Sequence, residues 1–292
     1  MQWAKWCSTS SLPFAGDPHG DRLVNEVLAW LDLPASAGSG TLALLLLAAL
    51  AAGWVDAVVG GGGLIQLPAL LLGLGTTNPA VLALGTNKLA SICGTTTSAI
   101  TYYRRVRPDL RTALPMAGFA LVGALAGAGI ATVLPSSAIV PIVLVALVCV
   151  LVYTLRRPQL GQLTALRYKG SRHHAIAGGT GLVIGVYDGA VGPGTGSFLV
   201  FALVGLLGYG FLEASAKAKI ANVATNLGAL LVFAPHGDVL WQLGLLMGAA
   251  NVCGGYVGAR TAVAKGAGFV RVVFLVVSTA LVLRLGYQVF TG

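Results

Sequence analysis

Two stretches of the sequence place a carboxylate shortly before a glycine-rich break inside apolar sequence. The first, GWVDAVVGGGGLIQLPALL, has Asp56 before Gly60–Gly63, and the second, GVYDGAVGPGTGSFLVFAL, has Asp188 before Gly192–Gly196. A glycine run lets backbone N–H groups point into a cavity, and the N-terminus of a following helix adds partial positive charge. Each break can therefore bind an anion without using a charged side chain.

The alternative is that these glycines only let helices pack closely, which is common in membranes. Two matched breaks, each before a short apolar run, favour a binding site over packing alone. Neither break is followed by the Gly-Lys-Ser/Thr of a phosphate-binding P-loop. The residues that we predict to bind an anion at the breaks, including two hydroxyl donors, are Gly61, Gly62, Gly63, Gly194, Thr195, Gly196 and Ser197.

Lysine and asparagine side chains provide further candidates in two matching segments. When LGTNKLASICGTTTSAITYY is aligned with SAKAKIANVATNLGALLVF, Lys88 matches Lys219. An ammonium group inside a membrane costs roughly 3 kcal/mol or more, so it usually faces a cavity or a partner. Four side chains are therefore added to the predicted anion site: Asn87, Lys88, Lys219 and Asn222.

The same polar residues also have structural interpretations. Lys88 can form an ion pair with Asp56 or Asp188, and Lys219, near a helix start, can extend to the membrane surface. The asparagine amides can tie helices together, which is the role we expect for Asn226. Each aspartate can carry a coupling proton, or it can accept hydrogen bonds from the neighbouring glycine loop.

The sequence lacks the residue patterns of a metal site or an enzyme. Its four cysteines are scattered, and without a CxxC spacing we expect neither a disulfide nor a bound metal. No cysteine, histidine or pair of carboxylates converges at the spacing of a nucleophile and its base. We therefore expect no cofactor and no enzymatic activity.

The elements that position these residues are expected to be membrane helices. Hydrophobic residues make up 56% of the 292 residues and charged residues 9%, whereas soluble domains have about 25% charged residues. Five apolar runs approach or exceed the roughly 20 residues that cross a bilayer; they are Thr41–Val59, Thr112–Leu134, Ala138–Leu155, Val239–Ala259 and Phe269–Phe290. We predict an all-α, polytopic transmembrane protein. Its net charge of +9 comes from short basic loops, as membrane orientation requires, and does not indicate nucleic-acid binding.

The loops predict the orientation of the chain. Positive charge is concentrated in Tyr103–Arg111, in Arg156–His174 and between 260 and 271, whereas the turns Pro135–Ser137 and Pro235–Asp238 carry no Lys or Arg. The positive-inside rule places the three basic loops in the cytoplasm. Each half then crosses the membrane an odd number of times, and the halves run in opposite senses. This arrangement predicts inverted repeats with a substrate site at their interface.

The predicted organisation has four parts. Residues 1–38 form an extramembrane segment with an amphipathic helix around Leu23–Leu31 that lies on the membrane surface. Residues 39–156 and 175–292 form the two transmembrane repeats, and residues 157–174 form a basic cytoplasmic loop. Each repeat contains one short apolar segment, Leu64–Gly75 or Ser197–Gly208. Twelve helical residues rise about 18 Å, less than the bilayer core of about 30 Å, so both segments should be short or broken helices.

Several of these motifs resemble the sulfite exporter TauE/SafE family of membrane permeases. The segments GWVDAVVGGGGLIQLPALLLGLG, ALGTNKLAS, GVYDGAVGPGTGSFL and AKIANVATNLGALLVF carry the resemblance, which spans roughly Leu42–Leu285. It implies a permease of the bacterial cytoplasmic (inner) membrane that moves sulfur-containing anions such as sulfite, sulfoacetate or other organosulfonates. Within that family, export is the expected direction.

We therefore predict a secondary transporter whose partners are a small anion and the lipid bilayer, with homo-oligomer formation left open. One alternative is a passive anion channel, and another is a permease for a different small oxyanion or carboxylate. A non-transporting assembly subunit is a third alternative, but it would not need an intramembrane Lys88 or two glycine breaks.

Overall fold

The computed structural model describes residues 26–34, 38–75, 80–131 and 163–291, together with the single positions 145, 148 and 152. These residues form helices and their connections, with no strand among them, so the predicted all-α class is confirmed. The helices of 8 residues or more are α1 Ser39–Val59, α2 Gly63–Leu74, α3 Ala80–Val106, α4 Leu110–Ala131, α5 Gly170–Ala190, α6 Thr195–Ala202, α7 Phe211–Phe233 and α8 Trp241–Thr291.

Two of the described helices, α1 and α4, are long and apolar enough to cross a bilayer on length and composition. They contain most of the first two predicted apolar runs. The last two predicted runs lie in α8 apart from Val239 and Leu240, and α8 bends at Gly266, where φ is 77°. The run Ala138–Leu155 and the turn Pro135–Ser137 lie outside the described residues, apart from the three single positions.

The two predicted short helices are present. Helix α2 has 12 residues, and α6 has 8 residues followed by the π-helical turn Leu203–Leu207. Gly208, with φ of 86°, ends this turn in the left-handed conformation that glycine adopts without strain. Neither α2 nor α6 with its turn has the length to cross a bilayer core as a continuous helix.

The described part of the N-terminal segment packs against the bundle. Residues 26–30 are helical, and Leu28, Leu31 and Leu33 are buried in the same apolar cluster as Leu45 of α1 and Leu70 of α2. The beginning of the predicted amphipathic helix, before residue 26, lies outside the described residues. In the described part of this helix and the turn after it, Leu28, Leu31 and Leu33 are thus covered by protein.

Helices of the first half pack mainly on helices of the second. Helix α1 packs against α8, and α5 packs against α4 in the corresponding way. In the centre, α3 packs against α7 and α8, while α7 also packs against α4. The first helix of each half therefore lies against the fourth helix of the other half, and any site at the centre is shared by both.

Glycines determine how closely these helices approach. A Cβ atom on Gly123 or Gly127 of α4 would overlap the backbone of Leu182 or Val186 of α5. Likewise, a Cβ atom on Gly254 or Gly258 of α8 would overlap the backbone of α1, at Leu50 or Trp54. An offset of 132 residues relates Leu50 to Leu182 and Trp54 to Val186, and an offset of 131 relates the two glycine pairs. The two halves thus make equivalent close contacts with exchanged partners.

The outer surface is rich in exposed large apolar side chains. On α1, for example, Leu44, Leu47 and Leu50 are exposed, and on α4 Phe119 and Val122 are exposed. A helix with apolar residues on both its buried and its outward faces is typical of a membrane segment. Contiguous exposed apolar surface of this kind requires lipid or another protein to cover it.

Candidate functional site

The two glycine breaks meet at the centre of the bundle. Gly60 closes α1 with φ of 84°, and Gly194 precedes α6 with φ of 86°. Ser197 donates its backbone N–H to the carbonyl oxygen of Gly60 at 3.1 Å and its hydroxyl to that of Val59 at 2.8 Å. A Cβ atom at Gly60 would overlap the backbone of Gly196. Glycine is therefore required here both for the left-handed conformation and for the close approach of the breaks.

A small cavity lies where the breaks face α3 and α7. The space open to the centre of a water molecule is about 20 Å³, which is room for about one water. Nine predicted site residues line it; they are Asp56, Gly63, Asn87, Lys88, Asp188, Gly194, Thr195, Gly196 and Asn222. The structure thus brings together residues of both breaks, both central helices and both aspartates.

Four predicted residues do not line the cavity, namely Gly61, Gly62, Ser197 and Lys219. Gly62 packs against α1, since a Cβ atom there would meet Ala52 and Asp56. Ser197 is occupied in joining the two breaks. The side chain of Lys219 is directed to Asp56 rather than to the cavity.

Lys88 and Asp188 form the first of two ion pairs between the halves. Lys88 Nζ lies 2.7 Å from Asp188 Oδ1 and donates to the carbonyl oxygen of the same residue at 2.8 Å. Both side chains are 2% exposed. The Thr195 hydroxyl lies 2.5 Å from Asp188 Oδ1 and 2.7 Å from the Gly192 carbonyl oxygen. Asp188 therefore connects the lysine of α3 with the start of α6.

Lys219 and Asp56 form the second pair, with the roles of the halves exchanged. Lys219 Nζ lies 2.9 Å from Asp56 Oδ2 and also donates to the Asp56 carbonyl oxygen. The Thr95 hydroxyl donates to the same carboxylate oxygen at 3.3 Å. Here Asp56 is 14% exposed. The ion-pair interpretation of Lys88 is confirmed, with Asp188 as its partner, and Lys219 is 1% exposed rather than extended to a membrane surface.

The central helices α3 and α7 contribute matching positions to the site. An offset of 131 residues relates Lys88 to Lys219 and Ser91 to Asn222. Positions three residues apart lie on the same face of a helix. Ser91 and Asn222 both line the cavity, so each central helix presents a lysine and a hydrogen-bonding side chain on the face that turns to the other half.

Four cavity-lining residues were not among the predicted site residues: Gly60, Ser91, Gly192 and Asn226. Gly60 and Gly192 belong to the predicted breaks, but the residues predicted to bind the anion began only at Gly61 and at Gly194. Asn226, expected only to connect helices, instead donates its amide to the carbonyl oxygen of Asn222 within the same helix, α7, at 2.8 Å. The spacing of Ser91 from Lys88, repeated by Asn222 from Lys219, is the sequence signal that would have identified Ser91.

The cavity holds unused donors and unused acceptors. Among the described backbone hydrogen bonds, none uses the N–H groups of Gly63, Gly194 and Gly196, which stand at or next to the starts of α2 and α6. Asp188 Oδ2 and Asn87 Oδ1 are buried acceptors without a hydrogen-bond partner. A ligand in this cavity is therefore met by backbone donors from both breaks and by a carboxylate oxygen.

A second buried polar cluster lies near the start of α7, away from the cavity. Lys217, fully buried, donates to the Asp109 carbonyl oxygen at 3.0 Å and lies 3.5 Å from Glu213. Its ammonium group also lies 4.8 Å from the centre of the Tyr209 ring, and the hydroxyl of that ring is 2.7 Å from His173 Nε2. This cluster joins the start of α7 to the starts of α4 and α5.

The described residues contain no group of three or more His, Cys, Asp or Glu side chains arranged to share a metal ion. The residues that line the cavity include no cysteine and no histidine, and the carboxylates among them are Asp56 and Asp188. Its chemistry is therefore that of non-covalent binding by amides, hydroxyls and ion-paired charges. Cys93 and Cys253 are free, and Cys7 and Cys149 lie outside the described residues.

Comparison with known proteins places the chain in a family. The profile of the Sulfite exporter TauE/SafE family matches residues 45–285, and the chain belongs to this family. It is 40% identical over 246 residues to "Probable membrane transporter protein ORF9" of Sinorhizobium sp, covering 84% of this chain and 92% of that protein.

Two further relatives have the same kind of name. "Probable membrane transporter protein YfcA" of Escherichia coli K12 is 33% identical over 85% of this chain and 90% of its own length. "Probable membrane transporter protein" of Haemophilus influenzae is 33% identical over 86% of this chain and 96% of its own. No solved structure gives a significant match. The family and these relatives identify a membrane transporter rather than an enzyme.

Proposed function

We propose that this membrane transporter is a multi-pass secondary carrier of small sulfur-containing anions in the bacterial cytoplasmic membrane. The observation that carries the proposal is the meeting of both glycine breaks at one cavity that is shared by the two halves. Sites at the interface of two repeats, next to interrupted helices, are typical of secondary transporters.

The donors around the cavity support a negatively charged substrate. Free N–H groups at helix starts and the partial positive charge of those starts stabilise an anion. Lys88 adds an ammonium group that lines the cavity, and Asn222 adds an amide. Because Asn222 Oδ1 accepts hydrogen bonds from Thr225 and Asn226, its Nδ2 is the atom left to donate to a substrate.

The helix contacts support two repeats that are inverted. Helices α3 and α7 are equivalent, because Lys88 and Lys219 make exchanged ion pairs. The end of α3 is basic, with Arg104 and Arg105, whereas the turn after α7 has an acid and no Lys or Arg. The positive-inside rule places these equivalent ends on opposite sides of the membrane. Equivalent helices that point in opposite directions are what inverted repeats require, with about ten membrane segments in total.

Alternating access would proceed by rocking one half against the other around the cavity. The contacts of α1 with α8 and of α5 with α4 join the two halves, so this motion would rearrange both contacts. The cavity has room for about one water, and a sulfur oxyanion would therefore fit only as the breaks separate.

Sulfite, sulfoacetate and other organosulfonates are the proposed substrates, on the strength of the family. A passive anion channel is the second candidate, and a permease for another small oxyanion or carboxylate is the third. The small volume of the cavity favours a carrier over a channel, since a channel needs a continuous aqueous path through the membrane.

The test is uptake of radiolabelled sulfite, thiosulfate, sulfoacetate and sulfate into proteoliposomes that contain the full chain. We expect saturable flux of at least one of these anions, and loss of that flux in Lys88→Met. Lys265→Met, which removes an exposed lysine of α8, is the matched control and should transport like the wild type. Flux that rises linearly with concentration would indicate a channel, and no flux of any of the four anions would contradict the proposed substrate class.

A further inference from the structure

We propose that the cavity takes up its anion together with one proton, and that the Asp188 carboxylate is the group that holds this proton. The inference rests on the proposed anion transport. It is drawn from the charges around the cavity and from the hydrogen-bonding atoms there that have no partner.

The charges at the centre of the bundle sum to zero before an anion enters. Two lysines and two aspartates form the pairs Lys88–Asp188 and Lys219–Asp56, and none of the four side chains is more than 14% exposed. Thiosulfate, sulfoacetate and sulfate each carry two negative charges near neutral pH, and all of that charge would be uncompensated in this buried site. An unbalanced buried ion costs several kcal/mol in proteins. Uptake of one proton with each anion halves the added charge and lowers that cost.

The two carboxylates differ in the burial of the oxygen that has no lysine. In each, one oxygen is contacted by a lysine and a threonine, namely Asp56 Oδ2 by Lys219 and Thr95 and Asp188 Oδ1 by Lys88 and Thr195. Asp188 is 2% exposed and its Oδ2 is buried without a hydrogen-bond partner, whereas Asp56 is 14% exposed. A buried carboxylate oxygen without a donor is costly while the group is ionised. A proton on this oxygen would relieve that cost, so Asp188 is the better proton site.

The partners of the two carboxylates also differ in position. Lys88 lines the cavity, whereas Lys219 does not. Protonation of Asp188 therefore releases an ammonium group that already faces the substrate. Protonation of Asp56 would release one that lies behind the cavity wall. Only the first of these links proton uptake directly to anion binding.

The step involves proton transfer and exchange of ion partners, with no covalent bond to the anion. A proton from water adds to Asp188 Oδ2, and the carboxylate becomes a neutral acid. The protonated oxygen then no longer needs a donor, and Asn87 Oδ1 is the other buried acceptor without a partner among the residues that line this cavity. Lys88 keeps its hydrogen bond to the Asp188 carbonyl oxygen and turns its charge from the carboxylate to the anion. On release, the anion and the proton leave on the same side, and the ion pair forms again.

Few other ionisable groups surround Asp188. The ionisable groups near Asp188 or near the two ion pairs are Lys88 of α3, Asp56 of α1, Lys219 of α7 and Tyr187 of α5. Tyr187 is turned away, because its hydroxyl donates to the Pro193 carbonyl oxygen at 2.6 Å. Within the described helices packed against α5, α6 has no ionisable side chain, and Arg111, in the first turn of α4, is the charged residue of that helix. Lys88 is therefore the charge that responds when Asp188 takes up a proton.

The experiment measures proton and anion movement together in proteoliposomes of the full chain, with a pH-sensitive dye enclosed. Radiolabelled thiosulfate, sulfoacetate and sulfate are the main probes, because they carry no titrating proton near neutral pH, and sulfite is included as a fourth. In the wild type, we expect about one proton to enter with each anion. Sulfite can carry its own proton, so agreement between it and the other probes indicates that the protein supplies the proton site.

Variants then locate the proton. Asp188→Asn should lower the ratio of protons to anions from about one to near zero, and Asp188→Glu, which keeps a carboxyl group, should restore it. Asp56→Asn should retain a ratio near one. Glu213→Gln, which changes a carboxylate outside the cavity, is the matched control and should retain both the ratio and the flux.

Three outcomes of the flux measurements overturn the inference. Anion flux in the wild type without proton movement would do so while leaving anion transport intact, as would Asp188→Asn that keeps the wild-type ratio. No flux of any probe would remove the proposed function and this inference with it. If Asp188→Asn does not fold, infrared difference spectra of the wild type decide the question. Adding thiosulfate should produce the band of a newly protonated carboxyl group, and its absence would also overturn the proposal.

Discussion

Lys217 and Thr86 occupy equivalent positions in the two halves. Each makes a hydrogen bond at one of two equivalent helix junctions, but one side chain is charged and the other is neutral. An offset of 131 residues relates Thr86 to Lys217 and Asp109 to Leu240. At one junction, Lys217 of the second half donates to the carbonyl oxygen of Asp109 of the first half at 3.0 Å. At the other, the Leu240 backbone N–H of the second half donates to the Thr86 hydroxyl of the first half, also at 3.0 Å. The first junction is charged, and the second is neutral.

At the centre of the molecule, by contrast, the two halves have the same residue types, since each contributes a lysine, an aspartate and a glycine break. If the halves are inverted, the two junctions lie toward opposite sides of the membrane, where they meet different surroundings. The site at the centre meets the same substrate from both sides. The comparison indicates that the shared site preserves its chemistry while the ends diverge, and four predictions test it.

Among variants that still fold, the largest loss of flux is expected from removing one of the two central lysines. Lys88→Met should lower anion flux by about 10- to 100-fold, since hydrogen bonds to charged groups contribute about 1.5–3 kcal/mol. Lys219→Met should lower flux less, because Lys219 does not line the cavity. Flux is to be measured per folded protein, since either change leaves an unpaired buried aspartate and destabilises the fold by about 3–5 kcal/mol. Equal flux losses in the two variants would mean that the halves contribute alike to binding.

The next effect concerns the contact between the breaks. Gly60→Ala should prevent stable folding or abolish transport, because alanine at φ of 84° is strained and its Cβ atom would overlap Gly196. Gly61→Ala, one residue later, should cause a much smaller loss, since a Cβ atom there meets its nearest neighbour, Val55, at 3.7 Å. Thermal unfolding and flux of the two variants are to be compared. Similar behaviour would show that the breaks do not depend on the Gly60–Gly196 contact.

A moderate effect is expected at the equivalent glycine contacts of the outer helices. Gly127→Ala and Gly258→Ala should each destabilise the protein by about 1–3 kcal/mol, because each places a methyl group against the backbone of the neighbouring helix. Gly118→Ala, on the same helix as Gly127, meets open space and should stabilise by about 0.5–1 kcal/mol through helix propensity. Unfolding in denaturant measures all three. If only one of the first two variants is destabilised, the packing of the halves is less equivalent than the contacts indicate.

The smallest effect distinguishes the two junctions by their pH dependence. Burial raises the pKa of Asp109, but hydrogen bonds from Thr112 and the Arg111 backbone, together with the Lys217 charge, outweigh it and hold the pKa below its usual value. Stability from such a group is present at neutral pH and is lost as the pH falls through the lowered folded-state pKa.

Asp109→Ala should therefore lower the thermal midpoint at pH 7, by the equivalent of about 0.5–2 kcal/mol for a lost helix cap. The difference from the wild type should shrink in acid. Leu240→Ala, at the equivalent position, should show a difference that does not change over the same pH range. A pH-independent difference for Asp109→Ala would mean that its carboxylate charge does not stabilise this junction.

Much of the site could be predicted because its residues are marked locally in the sequence. Asp56 and Asp188 stand out as carboxylates in apolar runs, and a glycine break after each indicates an interrupted helix. Lys88 stands out for the same reason, since a charge at membrane depth needs a cavity or a partner. The predicted limits of α2, and of α6 taken together with its π-helical turn, agree with the structure to within two residues because glycines bound both segments.

Other features could not be predicted because they depend on contacts between distant segments. Lys88 lies 100 residues from Asp188 and Lys219 lies 163 from Asp56, and the sequence favoured neither aspartate as the partner of Lys88. Ser197 follows its glycine break just as a ligand would, yet its hydroxyl binds Val59. Which hydroxyls and amides face the cavity is decided only when the helices pack.

The sequence by itself determined that this protein is helical, that it belongs in a membrane, and that two matched breaks contain its polar residues. These properties follow from composition and local spacing, which act within one helix or one loop. The tertiary structure alone decided that each half pairs its lysine with the aspartate of the other. That exchange depends on how closely α1 approaches α8 and α5 approaches α4, and the depth of those contacts is set by glycines that meet another helix only after folding.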